Sequence, residues 1–108
     1  ALLSKMAERG QITGGIVDGP LAIDLALSKR ACEIKGVTGP ILGDADILLV
    51  PDMNTGNIFG KSLILCSHFE SGGLIAGASF PIIMLSRADE ADVKKNSIIL
   101  ALAAAAEN

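Results

Sequence analysis

The sequence contains no tryptophan or tyrosine, and its 108 residues include three phenylalanines, two cysteines and one histidine. Two isolated thiols make neither a disulfide scaffold nor a zinc site, so Cys32 and Cys66 are predicted to be small buried hydrophobic residues in a reducing cytosol. No apolar run reaches the roughly 18 to 20 residues of a membrane-spanning helix. The opening stretch ALLSKMAERG lacks the ordered regions of a signal peptide and is typical of the interior of a helix.

Basic residues are also scarce. Lys and Arg total nine against twelve Asp and Glu, which gives a formal net charge of −3. General nucleic-acid binding needs a basic patch or stripe that neutralises phosphates, so this charge balance argues against a nucleic-acid partner. A local cluster of basic groups could still hold one small anion.

Aliphatic residues and glycine are abundant. Hydrophobic residues make up 50% of the chain, and glycine occupies 12 positions. This apolar content excludes intrinsic disorder, because its burial can offset the entropy of the chain. The length suits one domain, but the aliphatic content is high for a body with so much surface. We therefore expect a missing lobe or a partner subunit to cover part of that surface.

Short aliphatic runs alternate three times with helical patterns. Strands are predicted at 12–17, 47–50 and 81–85, and the continuous run 47–50 is typical of a strand buried on both faces of a parallel sheet. The alternation predicts an α/β layered fold with mostly parallel pairing.

Helices are predicted at 21–34, at 57–69 and from Asp89 onward. Gly36 is expected to end the first, after basic residues in its last turns. Acidic residues open the third helix, and its predicted buried stripe is apolar: Ile98, Ile99, Leu102, Ala105 and Ala106.

In open α/β sheets, ligands bind beyond the carboxyl ends of the strands. Ser86 and Arg87 stand at such an end, where a hydroxyl, a guanidinium fork and free N–H groups suit a phosphate or carboxylate. The alternative is structural, with Ser86 capping the following helix and Arg87 paired with Glu90 or Asp92 on the surface.

A second candidate segment runs from Asp52 to Asn57. Gly56 permits close backbone approach there, while Asn57 can cap the helix, so a plain turn with a helix cap is the competing interpretation. Lys61, one turn further, is either a solvent-facing charge or an anion contact. Asp18 and Asp52 could alternatively share a divalent metal. His68, with no second His nearby, is interpreted as a helix-end residue.

Three separated strings carry a resemblance to a known family: GIVDGPLAIDLALSK, GDADILLVPDMNTGNI and GASFPIIMLSRADEADVKKNSI. They resemble the phosphate acetyl/butyryl transferases over nearly the whole chain, in family order. The ADILLVPD and LSRAD segments look closer to phosphate butyryltransferase. Family members are substantially longer, so residues 1–108 correspond to their C-terminal part, with a possible lobe boundary near 71–80.

The resemblance implies the reaction acyl-CoA + phosphate ⇌ acyl phosphate + CoA, with butyryl as the leading acyl group and no tightly bound cofactor or metal. It implies a three-layer α/β sandwich similar to isocitrate and isopropylmalate dehydrogenases, with the active site between two lobes. A cytoplasmic homo-oligomer that binds neither nucleic acid nor membrane is expected.

The family's Ser-Arg motif matches Ser86 and Arg87. By similarity, Arg87 would stabilise charge on the reacting carbonyl, and Ser86 would orient the thiol or leaving group. The residues implied for substrate and CoA binding are Asp52, Gly56, Asn57, Lys61 and Gly77.

The sequence departs from the family pattern in two places. The spacing of the aspartate proposed as the base for the CoA thiol lands on Val93, so Asp92 is the candidate and Asp89 the alternative. Ser79 and Phe80 stand in place of a lysine that the family often has in the loop before the third strand. Further family arginines fall outside these residues, so the fragment alone is expected not to turn over.

Two other functions remain open from the sequence. One is a metal-dependent dehydrogenase of the same superfold, with Asp18 and Asp52 as ligands. The other is a non-catalytic assembly domain whose aliphatic excess is covered by dimerisation.

Overall fold

The structure is a computed structural model that describes residues 1–106. Its helices are α1 (Leu2–Glu8), α2 (Ile23–Leu27), α3 (Lys29–Lys35), α4 (Met53–Ser67) and α5 (Ala91–Ala106). The residues cluster into two units, one from Ala1 to Leu49 and one from Val50 onward. The lobe boundary expected near 71–80 concerns a longer enzyme and stays a prediction.

In the first unit, the single helix predicted at 21–34 is not observed. Two short helices form instead, because Ser28 adopts an extended conformation between them and its hydroxyl accepts a hydrogen bond from Ala31 N–H at 3.2 Å. A serine in this position caps a new helix rather than continuing the old one. Gly36 ends α3 in the left-handed conformation, at φ 62°, as predicted.

Close backbone packing holds the break between α2 and α3 in place. Gly43 has φ 82°, and a Cβ there would overlap the backbone of Ser28 and Lys29 and lie 2.7 Å from Lys29 Cα. Ala45 N–H donates to Ala26 O at 3.0 Å beside this contact. Only glycine combines this φ with this proximity.

Side chains also link α2 with α3. Lys35 Nζ lies 2.6 Å from Asp24 Oδ2, and this hydrogen bond holds the pKa of Asp24 below its ordinary 3.8. The buried Cys32 thiol donates to Leu25 O at 3.2 Å. The predicted burial of Cys32 is therefore confirmed, whereas Cys66 is exposed on α4, contrary to its prediction.

In the second unit, α4 begins one turn earlier than predicted. Its N-cap is Asp52, not Asn57, and its C-cap is His68, which has φ 54°. The interpretation of His68 as a helix-end residue is confirmed. The N-cap differs because the Asp52 carboxylate reaches the first free N–H groups of the helix.

The predicted mostly parallel sheet is not confirmed among residues 1–106. The pairing found there is one antiparallel bridge between Ile75 and Ile82, with Ile75 N–H donating to Ile82 O at 2.9 Å. Segments 12–17 and 47–50 have no strand partner in the described chain. The predicted burial of 47–50 is wrong, since Ile47 is 84% exposed. A strand is buried only when neighbouring strands and helices cover it.

Helix α5 turns a different face inward from the one predicted. Ser97 and Ala101 are its buried residues, while Ile98, Ile99 and Leu102 are exposed. Ala105 and Ala106 are also exposed. The helix is apolar around most of its circumference, so hydrophobicity does not distinguish one stripe. Small side chains face inward because the segment at Gly72 approaches the α5 backbone, with a Cβ position 3.1 Å from Asn96 C.

Little of the aliphatic content is buried within the described residues. The buried hydrophobic residues there are Ala26, Cys32 and Ala101. Large side chains such as Leu49, Met53 and Leu65 remain mostly exposed. The excess predicted from composition is therefore a surface property of this chain. None of the helices in 1–106 is long and apolar enough to cross a bilayer.

We expect Gly43→Ala to destabilise the protein by about 1–3 kcal/mol through overlap with the Ser28–Lys29 backbone, and by roughly 1 kcal/mol more through its left-handed conformation. Gly14→Ala is the matched control, because Gly14 has φ 86° with nothing within 4 Å of its Cβ position. Calorimetry or far-UV circular dichroism of the complete gene product measures both. Equal losses in the two variants would contradict the packing role of Gly43.

Candidate active site

The turn that carries Ser86 and Arg87 is closed by Asp89. Ser86 N–H donates to Asp89 Oδ2 at 2.6 Å, and Asp89 N–H donates to Ser86 O at 3.1 Å. Helix α5 begins two residues later, at Ala91. The two bonds fix the turn backbone and involve neither the Ser86 hydroxyl nor the Arg87 guanidinium.

The side chains of Ser86 and Arg87 are exposed, and within residues 1–106 neither has an intramolecular hydrogen bond or ion pair. The structural alternative for this pair is therefore not found. The Asp89 carboxylate accepts from Ser86 N–H, no hydrogen bond in the described part of the chain joins the Ser86 hydroxyl to α5, and Arg87 does not pair with Glu90 or Asp92. A hydroxyl and a guanidinium fork stand free beside a helix N-terminus, a combination that suits an anion.

The two candidate bases differ in their contacts. The Asp89 carboxylate is held by Ser86 N–H, whereas Asp92 is exposed in the first turn of α5 and has no hydrogen-bond partner in the described chain. Val93, at the family spacing, contributes its carbonyl, which accepts from Ser97 Oγ at 2.7 Å. Of the two carboxylates, only that of Asp92 has both oxygens free of hydrogen bonds in the described chain.

The carboxylate of Asp52 is occupied by its own helix. It accepts hydrogen bonds from Thr55 N–H at 2.9 Å and from Thr55 Oγ1 at 3.0 Å. These two bonds, the backbone bond first, hold the pKa of Asp52 below its ordinary 3.8. This geometry matches the competing interpretation of the segment, a turn with a helix cap.

Asn57 and Lys61 lie together on an exposed face of α4. They line a shallow groove with Ile58, Ser62, Leu65 and Cys66. Gly56 lies just before this face, and its Cβ position is 3.1 Å from Val50 Cγ2, a side-chain contact, so the close backbone approach at Gly56 stays a prediction. The groove offers one cation and one amide beside apolar side chains.

Gly77 lies elsewhere in the second unit, in the loop between the paired residues Ile75 and Ile82. Its φ is 95°, and the loop lines a cavity of about 200 Å³ together with α5 residue Ala104. Phe80, in the loop that often carries lysine in the family, is 66% exposed. The cavity wall is apolar, so Gly77 belongs to a different environment from the Asn57–Lys61 groove.

Asp18, the other candidate metal ligand, is also engaged by backbone. Its Oδ1 accepts from Gly19 N–H at 2.8 Å and its Oδ2 from Ile41 N–H at 3.4 Å. Residues 1–106 contain no group of three or more His, Cys, Asp or Glu side chains arranged to hold a metal ion. Asp18 thus organises the loop of the first unit that contains Gly39 and Ile41.

Comparison with known proteins identifies the family. The family model described as "Phosphate acetyl/butaryl transferase" matches residues 1–102. The chain belongs to this family. It is 52% identical over 101 residues to the phosphate butyryltransferase of Clostridium acetobutylicum, an alignment that covers 94% of this chain and 34% of that protein.

Other relatives in the phosphate acetyl/butyryl transferase family are similar to nearly the same degree. The phosphate butyryltransferase of Clostridium beijerinckii is 50% identical over 108 residues, 100% of this chain and 36% of that protein. The phosphate acetyltransferase of Rhizobium meliloti is 48% identical over 101 residues, 94% and 32% respectively. The expected likeness to butyryltransferases is supported, since these two butyryltransferases are 52% and 50% identical to the chain and this acetyltransferase is 48% identical. The chain spans about a third of the length of these curated relatives.

A solved structure supports the same family assignment. The crystal structure of a branched-chain phosphotransacylase from Enterococcus faecalis V583 matches with a TM-score of 0.82 at 41% identity. The match covers 94% of this chain and 39% of the phosphotransacylase chain. The chain therefore has the fold of the corresponding part of a phosphotransacylase.

The sequence analysis did not identify the buried Ser97 or its contacts at Gly72 and Gly73. The signal was present as a lone serine within an apolar helix and a Gly-Gly pair in the preceding loop. A hydroxyl among aliphatic residues indicates a buried hydrogen bond, because an unpaired buried hydroxyl is costly.

We expect Thr55→Val to raise the pKa of Asp52 toward 3.8, since the variant loses the hydroxyl donor and keeps the backbone N–H. A lowered carboxyl pKa stabilises the fold above the unfolded pKa, and that stabilisation is lost as the pH falls through the folded pKa. Thr55→Val therefore shrinks the acid-sensitive contribution of Asp52. Carboxyl ¹³C NMR titration measures the shift, with Asp24 as the internal control. An unmoved Asp52 titration would count against the hydroxyl contact.

Proposed function

We propose that the protein catalyses acyl-CoA + phosphate ⇌ acyl phosphate + CoA, with butyryl-CoA among its preferred substrates. The observation that carries this proposal is the free Ser86–Arg87 pair beside the start of α5, in a chain about 50% identical to phosphate butyryl- and acetyltransferases. Both substrates are anionic, and Arg87 offers a planar fork of donors to an anion.

In this proposal a phosphate oxygen attacks the thioester carbonyl carbon, and the carbon–sulfur bond then breaks. Negative charge develops on the carbonyl oxygen, where the Arg87 guanidinium stabilises it. The Ser86 hydroxyl donates a hydrogen bond to the departing CoA sulfur. In the reverse direction the CoA thiol loses its proton to a base, and the exposed Asp92 carboxylate serves that step, since Asp89 is held by Ser86 N–H.

The remaining candidates receive supporting roles. Lys61 and Asn57 contact a phosphate group or the CoA moiety from the exposed face of α4, next to the close backbone approach predicted at Gly56. Asp52 acts through the backbone of α4, which it caps, and so positions that face. Gly77 supplies a backbone contact to CoA from its loop.

We infer that residues outside the described chain complete a two-lobed α/β enzyme with a mostly parallel sheet. The unpaired segment 47–50 and the exposed aliphatic side chains support this inference, as does a length near one third of the relatives. The 108 residues alone would then bind CoA poorly and not turn over. A cytoplasmic homo-oligomer without nucleic-acid or membrane partners remains our expectation for the complete protein.

The complete gene product is expected to release CoA from butyryl-CoA only when phosphate is supplied. A thiol reagent measures the release over a series of acetyl-, propionyl-, butyryl- and isobutyryl-CoA. Phosphate-independent release, or none with any of these substrates, would overturn the proposal. Nicotinamide reduction dependent on Mg²⁺ or Mn²⁺ would instead indicate a dehydrogenase that uses Asp18 and Asp52. Association without any activity, seen by light scattering, would indicate an assembly domain.

Arg87→Ala is expected to lower kcat by about 10²- to 10³-fold, as loss of one transition-state donor does elsewhere. Arg87→Lys keeps the charge without the planar fork and should recover only part of the rate. Arg30→Ala is the matched control, because Arg30 is exposed on α3 outside the proposed site. Circular dichroism verifies the fold of each variant. Near-normal turnover in Arg87→Ala would show that Arg87 is a surface residue without a part in catalysis.

A further inference from the structure

Helix α5 is linked to the segment 82–89, which carries Ser86 and Arg87, near both ends of that segment. At the later end, the chain runs directly from Asp89 into α5, which begins two residues later. At the earlier end, the link runs from Ser97 to Gly73 and from Gly73 to Met84. The link through Gly73 has no role in the chemistry proposed above.

Ser97 is completely buried, with an exposed fraction of 0%. Its hydroxyl donates to Val93 O at 2.7 Å and accepts from Gly73 N–H at 2.9 Å. Asn96 adds a parallel bond, Nδ2 to Ser71 O at 3.2 Å. Adjacent residues of α5 therefore hold the main chain of 71–73 through one acceptor and one donor.

Gly73 transmits this contact to the chain that precedes Ser86. The bridge between Ile75 and Ile82 sets an antiparallel register in which Gly73 lies opposite Met84. A Cβ at Gly73 would lie 3.0 Å from Met84 O, so the two main chains are in close contact. Gly73 N–H is directed to Ser97 instead of across the pair. Met84 is two residues before Ser86.

We propose that Ser97 is a positioning residue for the Ser86–Arg87 turn. Its buried hydroxyl fixes Gly73, Gly73 fixes Met84 by main-chain contact, and the turn then lies between two points attached to α5. The inference rests on the proposed function for its catalytic meaning. Removing the hydroxyl leaves Gly73 N–H without its acceptor and frees the earlier end of the segment, while Asp89 still holds the later end.

Hydrogen–deuterium exchange tests this coupling without any activity. We compare wild type, Ser97→Ala and Ser71→Ala in the complete gene product, at a temperature where circular dichroism shows each fully folded. Ser71→Ala is the matched control, because the Ser71 hydroxyl is buried without a hydrogen-bond partner among residues 1–106. We expect Ser97→Ala to speed exchange in 71–75 and in 82–87, and Ser71→Ala to change neither.

Kinetics test the catalytic meaning. Ser97→Ala is expected to lower kcat by about 10- to 100-fold, a loss typical of misplaced catalytic groups, with a smaller change in the KM for phosphate. In an Arg87→Ala background, Ser97→Ala should lower kcat by less than about 2-fold, because the turn that Ser97 positions has already lost Arg87. Equal losses in both backgrounds would show a merely structural effect and overturn the proposal.

The two measurements separate the possible failures. Faster exchange confined to 71–75 would overturn the coupling to Ser86, whatever the activity. If wild type shows no phosphate-dependent release, the proposed function fails, and exchange still decides the coupling. If Ser97→Ala does not fold, Ser97→Cys takes its place, because a thiol sulfur is a much weaker acceptor for Gly73 N–H than a hydroxyl oxygen. Wild-type exchange and kcat in a folded Ser97→Cys would likewise contradict the proposal.

Discussion

Main-chain segments approach one another closely in both units, and small residues make this possible. Gly43 lies against the Ser28–Lys29 backbone in the first unit, and Gly72 and Gly73 lie against α5 and Met84 in the second. Ser97 is also small enough to be buried at such a contact, and its hydroxyl accepts a hydrogen bond from Gly73 N–H. Any side chain added at such contacts must displace backbone, which costs more than moving a side chain.

The aspartates singled out from the sequence differ by what their oxygens already contact. Asp18, Asp52 and Asp89 each accept a hydrogen bond from backbone N–H, so they organise loops and helix starts. Asp92 is exposed one residue after α5 begins, with no such contact within residues 1–106. Arg87 is likewise unpaired there. The local structure thus satisfies the groups that shape the turns and leaves a hydroxyl, a cation and a carboxylate open to a ligand.

Helices were predicted better than strands, for a physical reason. The hydrogen bonds of a helix lie within its own segment, so α4 and α5 follow from local patterns, with errors confined to their ends. The break at Ser28 was missed because apolar spacing continues across it, while Gly43, distant in sequence, occupies the junction. A strand needs a partner, and the aliphatic run 47–50 finds none in the described residues.

By itself, the sequence determined the family, the helical segments, the C-cap at Gly36 and the Ser86–Arg87 pair, because motif order and local hydrogen bonding are both written along the chain. Only the tertiary structure decided which face of α5 is buried and that Asp18 also accepts a hydrogen bond from the distant Ile41 N–H. It also decided that Ser97, on the buried face of α5, accepts a hydrogen bond from Gly73 N–H. These features depend on contacts between residues far apart in sequence, such as Gly73 with Ser97, and no local pattern specifies them.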